Sequence, residues 1–205
     1  ILDHHEARIL NGEQFLPEAD VVIDPHITEA DFEDYCGAGL AYRFMREVFA
    51  KKRRPADLNG IMSSMIALAA VGTVGDSVTM KAENRFLVRR GMEQIEQKRV
   101  STGLALLLEE MKLSDTLSVE DIAYSLVPAI NAFGRLEDEG SRKVAALLSY
   151  TGRKSDGAKN AAQIVKQMND ERKTYCKELT ELAEKMVEET GQMNNSVLVL
   201  QDDRF

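Results

Sequence analysis

The chain begins with three residues that could do chemistry, Asp3, His4 and His5, directly after the apolar pair Ile1-Leu2. Adjacent residues of a strand point to opposite sides, and at the carboxyl end of a parallel strand they spread over the edge where α/β proteins bind ligands. One imidazole could therefore bind a metal ion while the other faces a substrate, with Asp3 accepting a ring N–H to orient its neighbour. The alternative is a capped strand end with solvated histidines, and the triplet alone leaves both open.

Asp76 is the second candidate, at the end of the small-residue stretch "VGTVGD". A carboxylate that leaves a buried helix through such a turn can reach into a cleft, and it is a hard ligand suited to Mg²⁺ or Mn²⁺. The alternative is that Asp76 only caps the following helical turn.

The stretch "NAFGR", Asn131 to Arg135, is the third candidate. We expect a turn at Gly134 that presents the planar guanidinium of Arg135, a group suited to phosphate, beside the amide of Asn131. A helix-breaking turn with a surface arginine is the alternative.

Two further stretches carry weaker signals. "CGAG", Cys36 to Gly39, predicts a helix start where the backbone can approach an anion closely, although Cys36 itself is typical of a small buried hydrophobe. "KKRR", Lys51 to Arg54, is either the solvated end of a helix or a nucleic-acid contact.

The elements that must position these residues are two short apolar strands followed by helices. Residues 1–3 and 21–23 predict two strands of a buried parallel sheet. The helix that begins at the Ser118–Asp121 capping-box pattern should break at Pro128. Residues 158–190 contain neither Gly nor Pro and predict one helix of about 50 Å, followed by a strand at 197–200. The fold class is therefore α/β, mostly helical in this chain, with flanking helices on a parallel sheet.

The composition is that of a globular protein, with 205 residues, 44% hydrophobic and 29% charged. The net charge of −8 excludes a generic binder of the phosphate backbone, so any nucleic-acid contact needs a local groove or metal ions. Two cysteines outside any CxxC pair indicate a reducing, cytoplasmic setting. No run of about 18 apolar residues is recognisable, which predicts no membrane span. The missing initial Met suggests a fragment.

In order along the chain, these stretches resemble the DHH phosphoesterase superfamily, in particular its RecJ-type branch of single-stranded-DNA-specific exonucleases. The resemblance rests on "LDHHEA", "LPEADVVIDPH", "CGAGLAYRF", "GDSVTMKAENRFLVRRGM", "PAINAFGRLED" and "MNDERK". It implies a C-terminal part of the DHH catalytic domain over 1–152, a connector helix over 153–191, and the first strand of a truncated DHH-associated domain over 192–205. The family's first two acidic metal motifs would lie upstream of Asp3.

The same resemblance implies roles for matched positions. His4 and Asp76 would bind metal, His5 would face the scissile phosphate, and Asp3 would support the triplet or bind metal directly. Asn131 and Arg135 would bind substrate phosphate.

The implied activity is hydrolysis of phosphodiesters with two Mn²⁺ or Mg²⁺ ions, as a 5′→3′ exonuclease on single-stranded DNA in repair or recombination. A single-stranded-DNA-binding protein or a helicase would be a partner. We expect the fragment alone to be inactive. The alternatives are a DHH phosphoesterase acting on short oligonucleotides, cyclic dinucleotides or pyrophosphate, and a non-catalytic DHH-like scaffold.

Overall fold

The structure is a computed structural model, and it describes most of the chain. The described residues are 1–6, 8–10, 12–27, 30–52, 55–113, 117–136 and 139–205, without the side chains of Leu10, Glu13, Arg135 and Leu136. The chain is mostly helical, with 63% of it in helix. Eight α-helices lie in the described residues: α1 (Gly37–Lys51), α2 (Leu58–Gly75), α3 (Ala82–Glu96), α4 (Thr102–Glu110), α5 (Val119–Asp121), α6 (Val127–Leu136), α7 (Gly140–Leu148) and α8 (Asp156–Glu189).

The predicted strands meet, but as a single bridge. Leu2 and Ile23 form a parallel bridge, with hydrogen bonds from the Asp3 amide to the Ile23 carbonyl (3.0 Å) and from the Ile23 amide to the Ile1 carbonyl (2.9 Å). A buried parallel sheet does not form among the described residues, and Val21 is 60% exposed. Parallel sheets are stable when both of their faces are buried, whereas Ile1 and Leu2 are exposed here as well.

An antiparallel hairpin follows that the sequence reasoning missed. Strands β1 (Arg8–Leu10) and β2 (Glu13–Phe15) pair in the register Arg8 with Phe15, Ile9 with Gln14 and Leu10 with Glu13. Gly12 in the connecting turn has a φ of +85°, a conformation that glycine adopts without steric cost. The signal in the sequence was the Asn11-Gly12 pair, which is typical of two-residue hairpin loops.

Helix α2 packs against α1 and α3, while α4, α6 and α7 pack against α8. A side-chain carbon at Gly91 of α3 would lie 2.3 Å from Ala70 Cβ and 2.6 Å from the Ile66 carbonyl oxygen. Glycine at this position therefore allows the two helices to touch through their backbones. The main core is formed by side chains of α2, α3, α4, α6, α7 and α8 and of the turn before α6. It contains, among others, Leu104, Leu107, Ile122, Leu126 and Val165.

Helix α2 is long and apolar enough to cross a membrane by length and composition, so the prediction that no such segment exists is wrong by that measure. In the fold its residues Ala67, Val71 and Val74 belong to the main core. A helix that contributes to the core of a folded chain can have the same composition as a membrane span, because both place many apolar side chains away from water.

Pro128 does not break the helix, contrary to the sequence prediction. Residues Ile122–Leu126 form a π-helical turn between α5 and α6, and the Val127 amide donates to the Ile122 carbonyl five residues earlier. This wider turn accommodates a residue that has no N–H to donate, so the chain stays helical through Pro128. The predicted capping box is confirmed, since Ser118 and Asp121 bond to each other's backbone amides.

Helix α8 confirms the predicted long helix, with 34 residues and a length of about 50 Å. The strand predicted at 197–200 does not form in this chain. Val197 and Val199 are more than 70% exposed, and the Val199 backbone bonds to the Gln192 side chain in place of a second strand. A strand needs a ladder partner, and the described residues provide none for this segment.

Candidate metal centre

His4 and Asp76 lie close together in the fold although they are far apart in the chain. His4 follows the first bridged segment, and Asp76 is the C-terminal cap of α2, where its amide donates to Gly72 and Val74 carbonyls. His4 Nε2 lies 3.4 Å from Asp76 Oδ2. The structure thus brings together the two residues for which the resemblance implies metal binding.

Asp3 is the hydrogen-bonding centre of the triplet. Its Oδ1 accepts from the His4 amide (2.7 Å), from the His5 amide (3.3 Å) and from His5 Nδ1 (2.8 Å). The hydrogen bond from the His5 side chain, followed by that from the His4 amide, lowers the pKa of Asp3 from 3.8 to about 2. Asp3 is therefore ionised at neutral pH and orients both histidines.

His5 presents one ring nitrogen outward. A carboxylate can only accept, so the contact with Asp3 places the proton on His5 Nδ1 and leaves a lone pair on Nε2. The His5 side chain is 76% exposed. It lines a small cavity together with Asp3 and Arg8, whereas Asp76 lines a different cleft.

The cleft that Asp76 lines also contains Asn131 and the beginning of α1. Its volume is about 330 Å³, and its walls include Cys36, Gly37 and Gly72. The predicted helix start is confirmed, because Cys36 caps α1 and its sulfur accepts from the Gly39 amide. The free amides at this end of α1 favour an anion in the cleft.

The structure corrects one expectation about the stretch that contains Arg135. Other expectations about basic side chains fall outside the described residues. The predicted turn at Gly134 is wrong, because α6 continues to Leu136. A side-chain carbon at Gly134 would lie 2.8 Å from Ser141 Oγ, so this glycine serves helix packing and not a turn. The Arg135 side chain lies outside the described residues, as do Arg53 and Arg54 of the basic run.

The donor set fits a divalent cation such as Mn²⁺ or Mg²⁺. Ligand atoms of Asp3, His4 and His5 lie within 4.8 Å of one another, and Asp76 adds a second carboxylate beside His4. Neighbouring ligands of an octahedral ion at about 2.1 Å are about 3 Å apart, close to the spacing of His4 and Asp76. Mixed imidazole and carboxylate ligands suit Mn²⁺ well.

The sequence analysis assigned no role to one residue near the site, although the residue belongs to a stretch that carries the family resemblance. Asn84 of α3 is completely buried and bonds to two loops that flank the cleft.

A larger cavity of about 780 Å³, lined by Arg99 and Ser101, lies at the N-terminal end of α2. The lining residue of that cavity nearest to Asp76 along α2 is Ser64, 12 residues away or about 18 Å, so the cavity is separate from the site.

Comparison with curated proteins finds RecJ sequences. The chain is 31% identical over 147 residues to the single-stranded-DNA-specific exonuclease RecJ of Salmonella typhimurium, covering 67% of this chain and 25% of that protein. It is 28% identical over 205 residues to the enzyme of the same name from Bacillus subtilis, covering 97% of this chain and 23% of that protein. The chain therefore spans about a quarter of the length of these relatives. No family model matches it.

Solved structures give the same result. A crystal structure of exonuclease RecJ bound to manganese superimposes with a TM-score of 0.67 and 26% identity, over 80% of this chain and 40% of that one. A structure of RecJ in complex with Mg²⁺ from Thermus thermophilus gives 0.65 and 25%, over 79% and 24% of the two chains.

The D-H-H triplet, its meeting with Asp76 and the helical fold around them together define the DHH class of proteins. Within this class, the chain belongs to the RecJ family.

Proposed function

We propose that this chain is part of a metal-dependent exonuclease that hydrolyses phosphodiester bonds of single-stranded DNA from the 5′ end. The observation that carries the proposal is the 3.4 Å contact between His4 and Asp76, because it joins two metal-ligand types from distant segments beside an anion-accepting cleft. The names of the RecJ relatives and the Mn²⁺ and Mg²⁺ complexes of the structural neighbours support the same activity and cofactors.

His4 and Asp76 would bind the cation, and Asp3 would orient the histidines or add a ligand of its own. When bound, the metal ions supply an activated water and neutralise charge on the phosphate. The exposed ring of His5 would face the phosphate. The α1 amides and Asn131 would hold a phosphate in the cleft, and Arg135 would add a charged contact.

We further propose the domain division 1–152, 153–191 and 192–205, with α8 as the connector to a DHH-associated domain. The apolar and exposed segment around Val197 supports this division, because it is a strand sequence that has no strand partner in the described part of the chain. A cytoplasmic setting, a role in repair or recombination, and a helicase or single-stranded-DNA-binding protein as partner belong to the same proposal.

The test uses the full-length protein that contains this chain, with Mn²⁺. Single-stranded DNA labelled at the 5′ or the 3′ end is compared with a dinucleotide and with pyrophosphate. We expect early release of the 5′ label as a mononucleotide, and at least a hundred-fold loss with His4→Ala or Asp76→Ala.

Two matched controls separate the metal ligands from general effects. His26→Ala removes the third histidine, which contacts Glu33 and not the triplet, and Asp203→Ala removes an exposed carboxylate. Both should keep activity within about two-fold, because exposed or remote substitutions rarely change a site. Hydrolysis of only the dinucleotide or pyrophosphate would replace the DNA substrate, and no hydrolysis at all would favour a binding scaffold.

A further inference from the structure

We propose that Asn84 is a positioning residue, whose buried amide ties the backbone that follows Asp76 to the beginning of α1 and so sets the width of the metal cleft. This inference rests on the proposed function, since it concerns the geometry of the same site. It assigns a role to the "ENR" stretch, Glu83 to Arg85, which the proposed function does not use.

The Asn84 side chain links two loops through hydrogen bonds to their backbone carbonyls. It is the third residue of α3 and is 0% exposed. Its Nδ2 donates to the Asp34 carbonyl at 2.6 Å and to the Thr79 carbonyl at 3.0 Å. The two partners belong to different loops: Asp34 lies before α1, and Thr79 lies between α2 and α3.

An amide side chain can donate one N–H to each of the two carbonyls and stay neutral in this buried position. Both partners are carbonyl oxygens, which accept only, so the residue must supply two N–H donors from one neutral side chain. Among the described residues, Asn84 Oδ1 is buried without a hydrogen-bond partner. A buried unpaired oxygen is unfavourable, which indicates that the residue is selected for its donors and not for its fit to the core.

The loop on the Asp76 side needs such a constraint. Ser77 and Ala82 both have positive φ angles, of 55° and 41°, in a region that residues with a Cβ avoid. Strained backbone persists only where its surroundings hold it. Thr79 lies between these two residues, and its carbonyl is the group that Asn84 binds.

The loop on the other side leads directly into the cleft wall. Asp34 lies two residues before Cys36, which caps α1 and contacts Thr73 Oγ1 of α2 at 3.4 Å. The His4 ring lies 3.4 Å from the position of a side-chain carbon on Gly37, so the beginning of α1 also supports His4. Asn84 therefore joins the loop after Asp76 to the segment against which His4 packs.

The experiment compares Asn84→Ala and Asn84→Asp with Ser101→Ala in the full-length protein. Asn84→Ala removes the donors together with the unpaired oxygen, whereas Asn84→Asp keeps the shape and removes both donors. Ser101 is a matched control: it is 2% exposed, its Oγ donates to the Leu148 carbonyl at 2.6 Å, and it caps α4 away from the cleft.

Two readouts do not depend on turnover. The first is hydrogen–deuterium exchange of residues 34–38 and 77–81 without metal, and the second is the Mn²⁺ dissociation constant from paramagnetic resonance of free Mn²⁺. We expect faster exchange in both segments and Mn²⁺ binding weaker by about ten-fold in both Asn84 variants. Ser101→Ala should lower the melting temperature without either change.

Each other result overturns the proposal. Asn84 variants that match Ser101→Ala in exchange and Mn²⁺ affinity would show a purely structural residue, and so would global unfolding of both variants by circular dichroism. If the wild-type protein bound Mn²⁺ but did not hydrolyse DNA, the proposed function would fail, while the exchange and binding comparisons would still decide the role of Asn84.

Discussion

Asp3 shows how one carboxylate can organise two histidines. It accepts three hydrogen bonds on a single oxygen, and the largest effect on its pKa is the contact with the His5 ring. The ionised form is favoured in the folded protein because these donors bind the charged form more strongly than the neutral form.

The first prediction concerns the protonation of Asp3. Its pKa should be about 2 in the native protein, against an ordinary value of 3.8, and should rise towards 3.8 in His5→Ala. Because the folded-state pKa is the lower one, the stabilising contribution is complete above the unfolded pKa and is lost as the pH falls towards 2. Carbon-detected NMR titration of the Asp3 carboxyl measures both values, and equal values in the two proteins would contradict the assigned cause.

The second prediction concerns the charge of Asp3. Asp3→Asn keeps an oxygen acceptor and removes the negative charge, so the histidines lose an ionic partner and the cation loses nearby anionic charge. We expect Mn²⁺ affinity to fall by about ten-fold, which titration calorimetry would measure. Asp31→Asn, an exposed carboxylate outside the triplet, is the control and should leave Mn²⁺ affinity unchanged.

At the scale of the elements, the site depends on helices that approach through glycine. Gly72 of α2 faces Ala38 of α1, and Gly91 of α3 faces Ala70 and the Ile66 carbonyl of α2. These close contacts bring the beginning of α1 and the end of α2 to the same cleft. The helices themselves were predictable from composition, but their separation follows from which small residues meet.

The third prediction tests this packing by unfolding in denaturant. Gly91→Ala places a carbon 2.3 Å from Ala70 Cβ, so α2 and α3 must separate, at a cost of about 1–3 kcal/mol in the free energy of unfolding. Gly157→Ala in the first turn of α8 has no atom within 4 Å of the new carbon and should stabilise by about 0.5–1 kcal/mol. The same sign for both substitutions would contradict the packing argument.

At the scale of the whole molecule, the site contains less negative charge than two divalent cations require. Among the described residues, Asp3 and Asp76 place two negative charges within 3.8 Å of the histidines of the triplet, while Glu6 and Asp24 line the cavity that contains His5. The chain spans about a quarter of the length of its RecJ relatives. Further anionic ligands would therefore come from the full-length protein, as the family resemblance implies.

The fourth prediction follows from this deficit. The 205-residue chain alone should release no mononucleotides from single-stranded DNA with Mn²⁺, whereas the full-length protein should. The loss is expected because a two-metal site needs bridging carboxylates to hold its ions close together. End-labelled DNA and gel analysis provide the measurement, with circular dichroism to show that the isolated chain is folded. Activity of the folded chain alone would show that its own ligands suffice.

The sequence determined the parts of this protein that depend on neighbours along the chain. The long helix α8, the capping box at Ser118 and the helix start at Cys36 follow from local periodicity and hydrogen bonding, and all three are present. The errors occurred where distant residues decide. Pro128 is accommodated by a π-helical turn, and Gly134 is inside a helix because Ser141 of α7 packs against it.

Only the tertiary structure decided which candidates share a site. Residue spacing cannot show that His4 Nε2 lies beside Asp76 Oδ2, or that Asn131 lines the same cleft, because both depend on how α2 and α6 pack. The role that we propose for Asn84 could not be read from the sequence either, since its two partners are backbone carbonyls that any sequence would provide. Chemistry can be inferred from residue types, whereas distances across a cleft arise from helix packing, to which residues far apart in the chain contribute.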